Sequence, residues 1–297
     1  MNAVIYQNVN RINGGLFDAF EYFMAIYDVC PEVKFIMVSY QLTKGAALHP
    51  LARLQSIFDI FNDRYNLEGI DLKKSVLYVT PFQLSKMQLN KILIVENHTP
   101  KLIDMINYNE AHIIVDWLNN QFGDDDLLYY TLLKEHRVTL YNEMPFFPGG
   151  KPYVEKLYFK RYRTYTVFQK NVFLTTIFKG TPTADQFDEI VEKYLTLGQQ
   201  LLVSTEKKIM HPRVVSLLRH PKDFHSLFDS YLYVHLGKYF DPHPRLFHEC
   251  AFYGKKIVYI NDNNVDGSYY RYYDLIANGI EPHCLDQDDE IIEVFSC

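Results

Sequence analysis

No cysteine pair stands at metal or redox spacing. Cys30, Cys250, Cys284 and Cys297 are scattered, with no Cys-x-x-Cys and no histidine beside them at ligand spacing. Zinc-finger and dithiol chemistry are therefore not expected, and the four thiols read as reduced ones in a cytosolic protein. No apolar run approaches the ~18 residues that cross a bilayer. Met1-Asn2-Ala3-Val4-Ile5-Tyr6 carries no basic segment ahead of an apolar stretch, so secretion is not expected either. Gly-x-Gly-x-x-Gly and Gly-x4-Gly-Lys-Ser/Thr are both missing, which argues against an epimerase-like dinucleotide site and a P-loop. Basic charge is not in surplus: a net charge of −6 excludes a surface that is basic throughout, of the kind that holds polyanions nonspecifically.

What is there is an ordinary folded composition, 48% apolar and 22% charged, with glycine and proline at 13 residues each. At 297 residues the chain exceeds the size of one hydrophobic core, so two domains are expected, residues 1–165 and 166–297. Short branched-apolar runs alternate with helical periodicity. Val4-Ile5-Tyr6 reads as a strand, Gly14-Gly15 as a turn, and Leu16 to Val29 as a helix stopped by Pro31, with Val33 to Val38 as the next strand. Leu51 to Tyr65 is helical in pattern. Val76 to Val79, Ile92 to Val95 and Ile113 to Val115 read as strands.

After Pro145 to Gly150 the alternation restarts. Val172 to Phe178 is predicted as a strand and Ala184 to Tyr194 as a helix with Thr183 as its N-cap. Gln200 to Ser204, Val214 to Leu217, Tyr231 to His235 and Lys256 to Ile260 follow as strands, with helices over Pro221 to Asp229 and Pro244 to Tyr253. This order predicts an α/β fold of two Rossmann-like halves. The 24 tyrosines and 21 phenylalanines offer stacking surfaces but equally fill cores.

One stretch is locally basic. In Lys151 to Arg163, the cations Lys156, Lys160, Arg161 and Arg163 alternate with Tyr153, Tyr158, Phe159 and Tyr162. The pattern suits phosphates and bases, and suits equally a strand with one wet face.

The most informative stretch is Tyr231 to Ile260, a strand, a loop with an acid and two prolines, a helix opening near Pro244, Gly254 at its end, and a further strand. Pro in the first turn, Gly after the last and Lys255-Lys256 at the negative end agree on that helix. The loop acid Asp241 and the helix acid Glu249 bracket a helix N-terminus, whose free N–H groups suit a diphosphate. A carboxylate on such a helix can accept from ribose hydroxyls, as in dinucleotide sites.

These residues resemble the acid-x7-acid nucleotide-sugar motif of retaining GT-B glycosyltransferases, with Asp241 and His243-Pro244-Arg245 standing where Glu and Phe-Gly are usual. The resemblance implies two Rossmann-like domains facing across a cleft, a nucleoside-diphosphate sugar (UDP-sugar favoured) as co-substrate, and no metal or other cofactor. Within it, Glu249 would take the ribose and Asp241 the donor sugar. His243 and Pro244 would line the sugar and phosphate side, and Lys179 and Arg245 would neutralise the diphosphate. Arg219 or His220, after the strand Val214 to Leu217, would flank the base. Gly14 and Gly15 resemble the glycine loop that faces the cleft from the N-terminal domain.

The acceptor side is open, with His98, Glu96, Asp116 and His112 near predicted strand ends; Asp116, with Asp241 on the donor side, is carried forward as catalytic. A retaining enzyme needs no dedicated base, whereas an inverting one requires an acid or histidine at the acceptor hydroxyl. His248 reads as a residue of the helix face. A hydroxymethylated base in DNA, as in phage enzymes of this fold, stands beside a glycan, lipid-linked saccharide or small metabolite as acceptor. A non-catalytic sugar-nucleotide-binding protein is the third reading.

Overall fold

The computed structural model describes residues 1–7, 12, 14–39, 50–95, 106, 112–117, 138–142, 151–152, 156–176, 184–204, 209–217, 221–234, 245–260, 283–286 and 289–296. The chain is α/β and divides into two compact units. Met1–Asp59, Asn66–Arg161 and His283–Cys297 form the first, and Ile60–Tyr65 with Tyr162–Pro282 the second. The change at Arg161/Tyr162 lies near the expected 165/166 boundary, but two segments return across it. No described helix is long and apolar enough to cross a membrane.

The first unit contains β1 (Ala3–Tyr6), α1 (Gly14–Val29), β2 (Lys34–Val38), most of α2 (Pro50–Arg64), α3 (Leu72–Ser75), β3 (Val76–Val79) and α4 (Pro81–Leu84). It continues through β4 (Lys91–Val95), β5 (His112–Trp117), β6 (Val138–Asn142), β7 (Lys151–Pro152) and β8 (Lys156–Leu157). Its seven-stranded sheet runs β3-β2-β1-β4-β5-β6-β7, parallel throughout. Residues of β1 alternate between faces as strand periodicity requires. Ala3 and Ile5 join Ile36, Val38, Ile92 and Ile94 in a cluster on one face. On α1, Phe20 and Phe23 lie with ring centroids 5.5 and 5.7 Å from Phe35 of β2. That helix is buried nearly all round, including Asp18 and Glu21, which marks it as the unit's central helix.

Lys151 to Arg163 is not one strand. It breaks into β7, β8 and a 3-10 turn at Phe159–Arg161, because the Tyr158 N–H donates to Glu21 Oε2 at 2.7 Å instead of to a neighbouring strand.

The second unit holds β9 (Val172–Thr176), α5 (Ala184–Tyr194), β10 (Gln200–Ser204), β11 (Val214–Leu217), β12 (Ser230–Val234), α6 (Arg245–Phe252) and β13 (Lys256–Ile260). Its five-stranded parallel sheet runs β11-β10-β9-β12-β13. Both faces are covered. Phe173, Leu201 and Val203 pack with Phe187, Ile190 and Val191 of α5, while Val172, Leu174 and Tyr231 pack with Phe228 and with Phe247 and Cys250 of α6. Each fully buried side chain of this size contributes about 1.5–3 kcal/mol.

Pro221 to Asp229 is not a helix. Only Phe224–Ser226 coil, as a 3-10 turn, because Asp223 takes φ 54 with its N–H donating to Asp63 Oδ1 at 2.7 Å. The end of α6 is as the sequence indicates: Gly254 at φ 62, with Gly254 N–H to Ala251 O and Lys255 N–H to Cys250 O, forms a Schellman cap.

The last two elements, β14 (His283–Cys284) and α7 (Glu290–Phe295), rejoin the first unit. There β14 pairs with β8, and Ile291, Ile292 and Phe295 are buried. Asp289 caps α7 by accepting from the Ile291 N–H and takes the buried Lys156 ammonium at 2.6 Å.

Candidate functional site

In each sheet the strand order reverses once, between β1 and β4 in the first and between β9 and β12 in the second. In parallel sheets of this kind ligands bind beyond the C-terminal ends of the strands at such a reversal. Lys179 follows β9, Arg219 follows β11, and Asp241, His243 and Pro244 follow β12 directly before α6. Those five residues lie outside the described ones, as do Glu96, His98 and His220; the strands before them share one edge because they are parallel. In the first unit Gly14 and Gly15 open α1 after β1, and Asp116 pairs with Val95 and Tyr141 toward the C-terminal end of β5. His112 begins β5, at the opposite edge. Gly14 is exposed, a Cβ there would meet nothing within 4 Å, and its backbone does not require glycine.

The described part of the second site is a buried charge cluster beneath α6. Arg245 opens the helix and Glu249 stands one turn later, so their side chains meet on one face: Arg245 Nε donates to Glu249 Oε1 at 2.7 Å. Arg64, from the last turn of α2, reaches the same oxygen through Nη1 at 3.0 Å and lies over the Phe224 ring. Glu249 Oε2 is 3.2 Å from His225 Nε2, within ion-pair range but off the angle of a hydrogen bond. Arg245 Nη2 donates to Tyr162 Oη at 2.7 Å and, more loosely, to Tyr65 Oη at 3.4 Å. Glu249 is 1% exposed and Arg245 7%. Their charged groups therefore point into the unit and not to its surface.

Burial alone would raise the Glu249 carboxyl. The Arg64 charge, His225 and Arg245 outweigh it and hold the group far below the usual carboxylate range. His225 is pulled down to about 4, first by its complete burial, against the opposing pull of Glu249. At neutral pH the cluster is thus two guanidinium ions, one carboxylate and a neutral imidazole. Lys255 does not serve the end of α6 from outside as its position suggests. It is buried, donates to the carbonyls of His225 and Phe228 at 2.6 and 2.5 Å, and lies 3.7 Å from the Phe168 ring centroid. Desolvation lowers it to about 8.

The Arg245–Glu249 spacing is visible in the sequence. The parts of Arg64, His225, Tyr65 and Tyr162 are not, since Arg64 lies 185 positions from its partner and no spacing rule connects them. His248, taken as a helix-face residue, is 1% exposed.

The basic stretch does not present its cations as a row. Lys156 is buried on Asp289. Arg161 pairs with Asp28, which also accepts from the Tyr158 hydroxyl, and donates to the carbonyls of Asn66 and Glu68. Burial works to raise the Asp28 carboxyl, but Arg161, Tyr158 and Lys160 bring it below its ordinary value. Lys160 and Arg163 are exposed. Asp28, Asn66, Glu68, Lys160 and Arg161 line an open pocket of about 370 Å³. Asp28 is in the last turn of α1, which starts at the C-terminal edge of the sheet, so this pocket lies toward the N-terminal ends of the strands.

Among the described residues no group of three or more His, Cys, Asp or Glu gathers as a metal site. No family model and no curated protein matches the chain.

Proposed function

We propose that the chain is a metal-independent glycosyltransferase of the GT-B type. In this reading the second unit holds a nucleoside-diphosphate sugar at the β9/β12 crevice, and the first unit, facing it across a cleft, takes the acceptor. One observation carries the proposal: Lys179, Arg219, Asp241, His243 and Pro244 all follow the C-terminal ends of parallel strands of one sheet, the edge where ligands bind in sheets of this kind.

Lys179 and the positive end of the α6 dipole would stabilise the departing diphosphate, while Asp241 grips the sugar and Arg219 flanks the base. Asp116 is the acceptor-side candidate. Domain closure would exclude water from the donor.

For the acceptor we propose a saccharide or small hydroxyl compound in place of DNA. The segment that best suited nucleic acid keeps Lys156 and Arg161 in internal ion pairs.

Thermal shift against nucleoside diphosphates and their sugars tests the donor site. Ligand at 100 times its Kd adds roughly 2.7 kcal/mol. Stabilisation by one nucleotide, followed by sugar transfer to an acceptor with turnover, is the expected result. Binding without transfer or donor hydrolysis returns the sensor reading, and no shift with any member removes the donor site.

A further inference from the structure

The resemblance would make Glu249 a ligand group for ribose, but the cluster around it describes different work. Its carboxylate is 1% exposed. Oε1 accepts from two guanidinium groups, Arg64 at 3.0 Å and Arg245 at 2.7 Å. Oε2 is enclosed beside the neutral His225 ring. His225 is itself walled by aromatic rings, with Tyr253, Phe224, Phe228 and Tyr165 at centroid distances of 4.6 to 6.2 Å. A carboxylate in that setting turns all its acceptor capacity inward. What it fixes is Arg245, the first residue of α6 and the one directly after Pro244. Arg245 is fastened in turn to Tyr162 and Tyr65. The first turn of α6 is thereby pinned through the Arg245 side chain to Tyr65 just after α2, to Tyr162 and to the helix one turn on.

Resting on the donor reading above, we infer that Glu249 is a positioning residue: with Arg64 and Arg245 it sets the first turn of α6 against the diphosphate, and the ribose hydroxyls are recognised by other groups.

The test compares UDP, ADP, GDP and CDP with their 2′-deoxy counterparts by calorimetric titration of the full chain, wild type and Glu249→Gln. A direct carboxylate contact with a ribose hydroxyl is worth about tenfold or more in affinity, so a ligand role predicts a ribose preference that Glu249→Gln erases. Positioning predicts a different pattern: the variant weakens the ribo and deoxy forms by the same factor, and the preference of the wild type survives unchanged. Loss of the ribose preference alone overturns the inference. So does a variant with lowered melting temperature and unchanged affinities, since Glu249 would then serve stability only. If Glu249→Gln does not fold, Arg64→Lys takes its place, because it keeps a cation on Oε1 in poorer geometry; both affinities are then expected to fall together and less steeply. A wild type that binds none of the eight nucleotides removes the donor reading and this inference with it, whereas the other failures leave the donor site standing.

Discussion

Arg64 and Glu249, 185 positions apart in the chain, meet at 3.0 Å in the interior of the second unit. The contact joins the end of α2 to the helix that the sequence marks as the donor-site element. Because Arg245 shares the same oxygen, the three side chains have unequal weight. Removing Glu249 leaves two buried cations without their anion, whereas removing Arg64 leaves a balanced pair on α6.

That asymmetry sets an order of stabilities. Glu249→Ala is expected to cost about 3–5 kcal/mol, as for a buried pair broken on one side. Arg64→Met should cost about 1.5–3 kcal/mol, the range for a lost hydrogen bond to a charged group. Urea unfolding of the two variants checks the order, and an equal or inverted cost would show that Arg245 does not neutralise Glu249 by itself.

Acid should loosen the same cluster in two stages. The folded value of His225, about 4, lies below its ordinary 6.5. The unfolded chain therefore takes up the proton first, and stability falls as pH drops from about 6.5 towards 4, by up to roughly 3 kcal/mol. Glu249 is depressed as well, so its contribution is complete above its unfolded value and is lost as pH falls further, below about 4.5. The urea midpoint of the wild type should decline through both windows, while His225→Gln should be flat down to about pH 5. A decline that survives in His225→Gln above pH 5 would assign the first stage to another group.

The return of the chain to the first unit gives a separate test. Asp289 both caps α7 and holds the Lys156 ammonium, with 2% and 9% of the two side chains exposed. Asp289→Ala is expected to cost about 3–5 kcal/mol for the broken buried pair, with about 1 kcal/mol more for the cap. Asp289→Asn, which can still cap, should cost less. Truncation before His283 should then expose the first unit to limited proteolysis; resistance equal to that of the full chain would mean that α7 adds little.

Gly254 is a position where backbone conformation dictates the residue. At φ 62, with nothing within 4 Å of an added Cβ, Gly254→Ala should lose roughly 1–2 kcal/mol from left-handed strain alone. Gly254→Asn should lose less, because asparagine tolerates that region. Thermal melts of the pair decide it, and an alanine variant as stable as wild type would remove the strain argument.

Much of this architecture is written locally. Val76–Val79, Ala184–Tyr194, Gln200–Ser204, Val214–Leu217 and Lys256–Ile260 stand where periodicity predicts them, because a buried parallel strand needs a short branched-apolar run and a helix needs a 3.6-residue stripe. The Gly254 stop is equally local, since φ above zero selects glycine at a helix end. Alternation of such runs fixes the α/β class before any contact is known.

Long-range contacts decided the rest. Asp63 turns Pro221 to Asp229 away from a helix by holding the Asp223 N–H. Glu21 takes the Tyr158 N–H out of strand pairing, and Asp28 and Asp289 turn a row of cations into internal struts. The sequence places Arg245 one helical turn from Glu249; only the fold brings Arg64 and His225 to the same carboxylate and closes aromatic rings around His225. The physical reason is the same in every case: an acid's partner is chosen by distance in space, through Coulomb attraction and shared desolvation, and spacing along the chain reports only those partners that one helix or one strand already brings together.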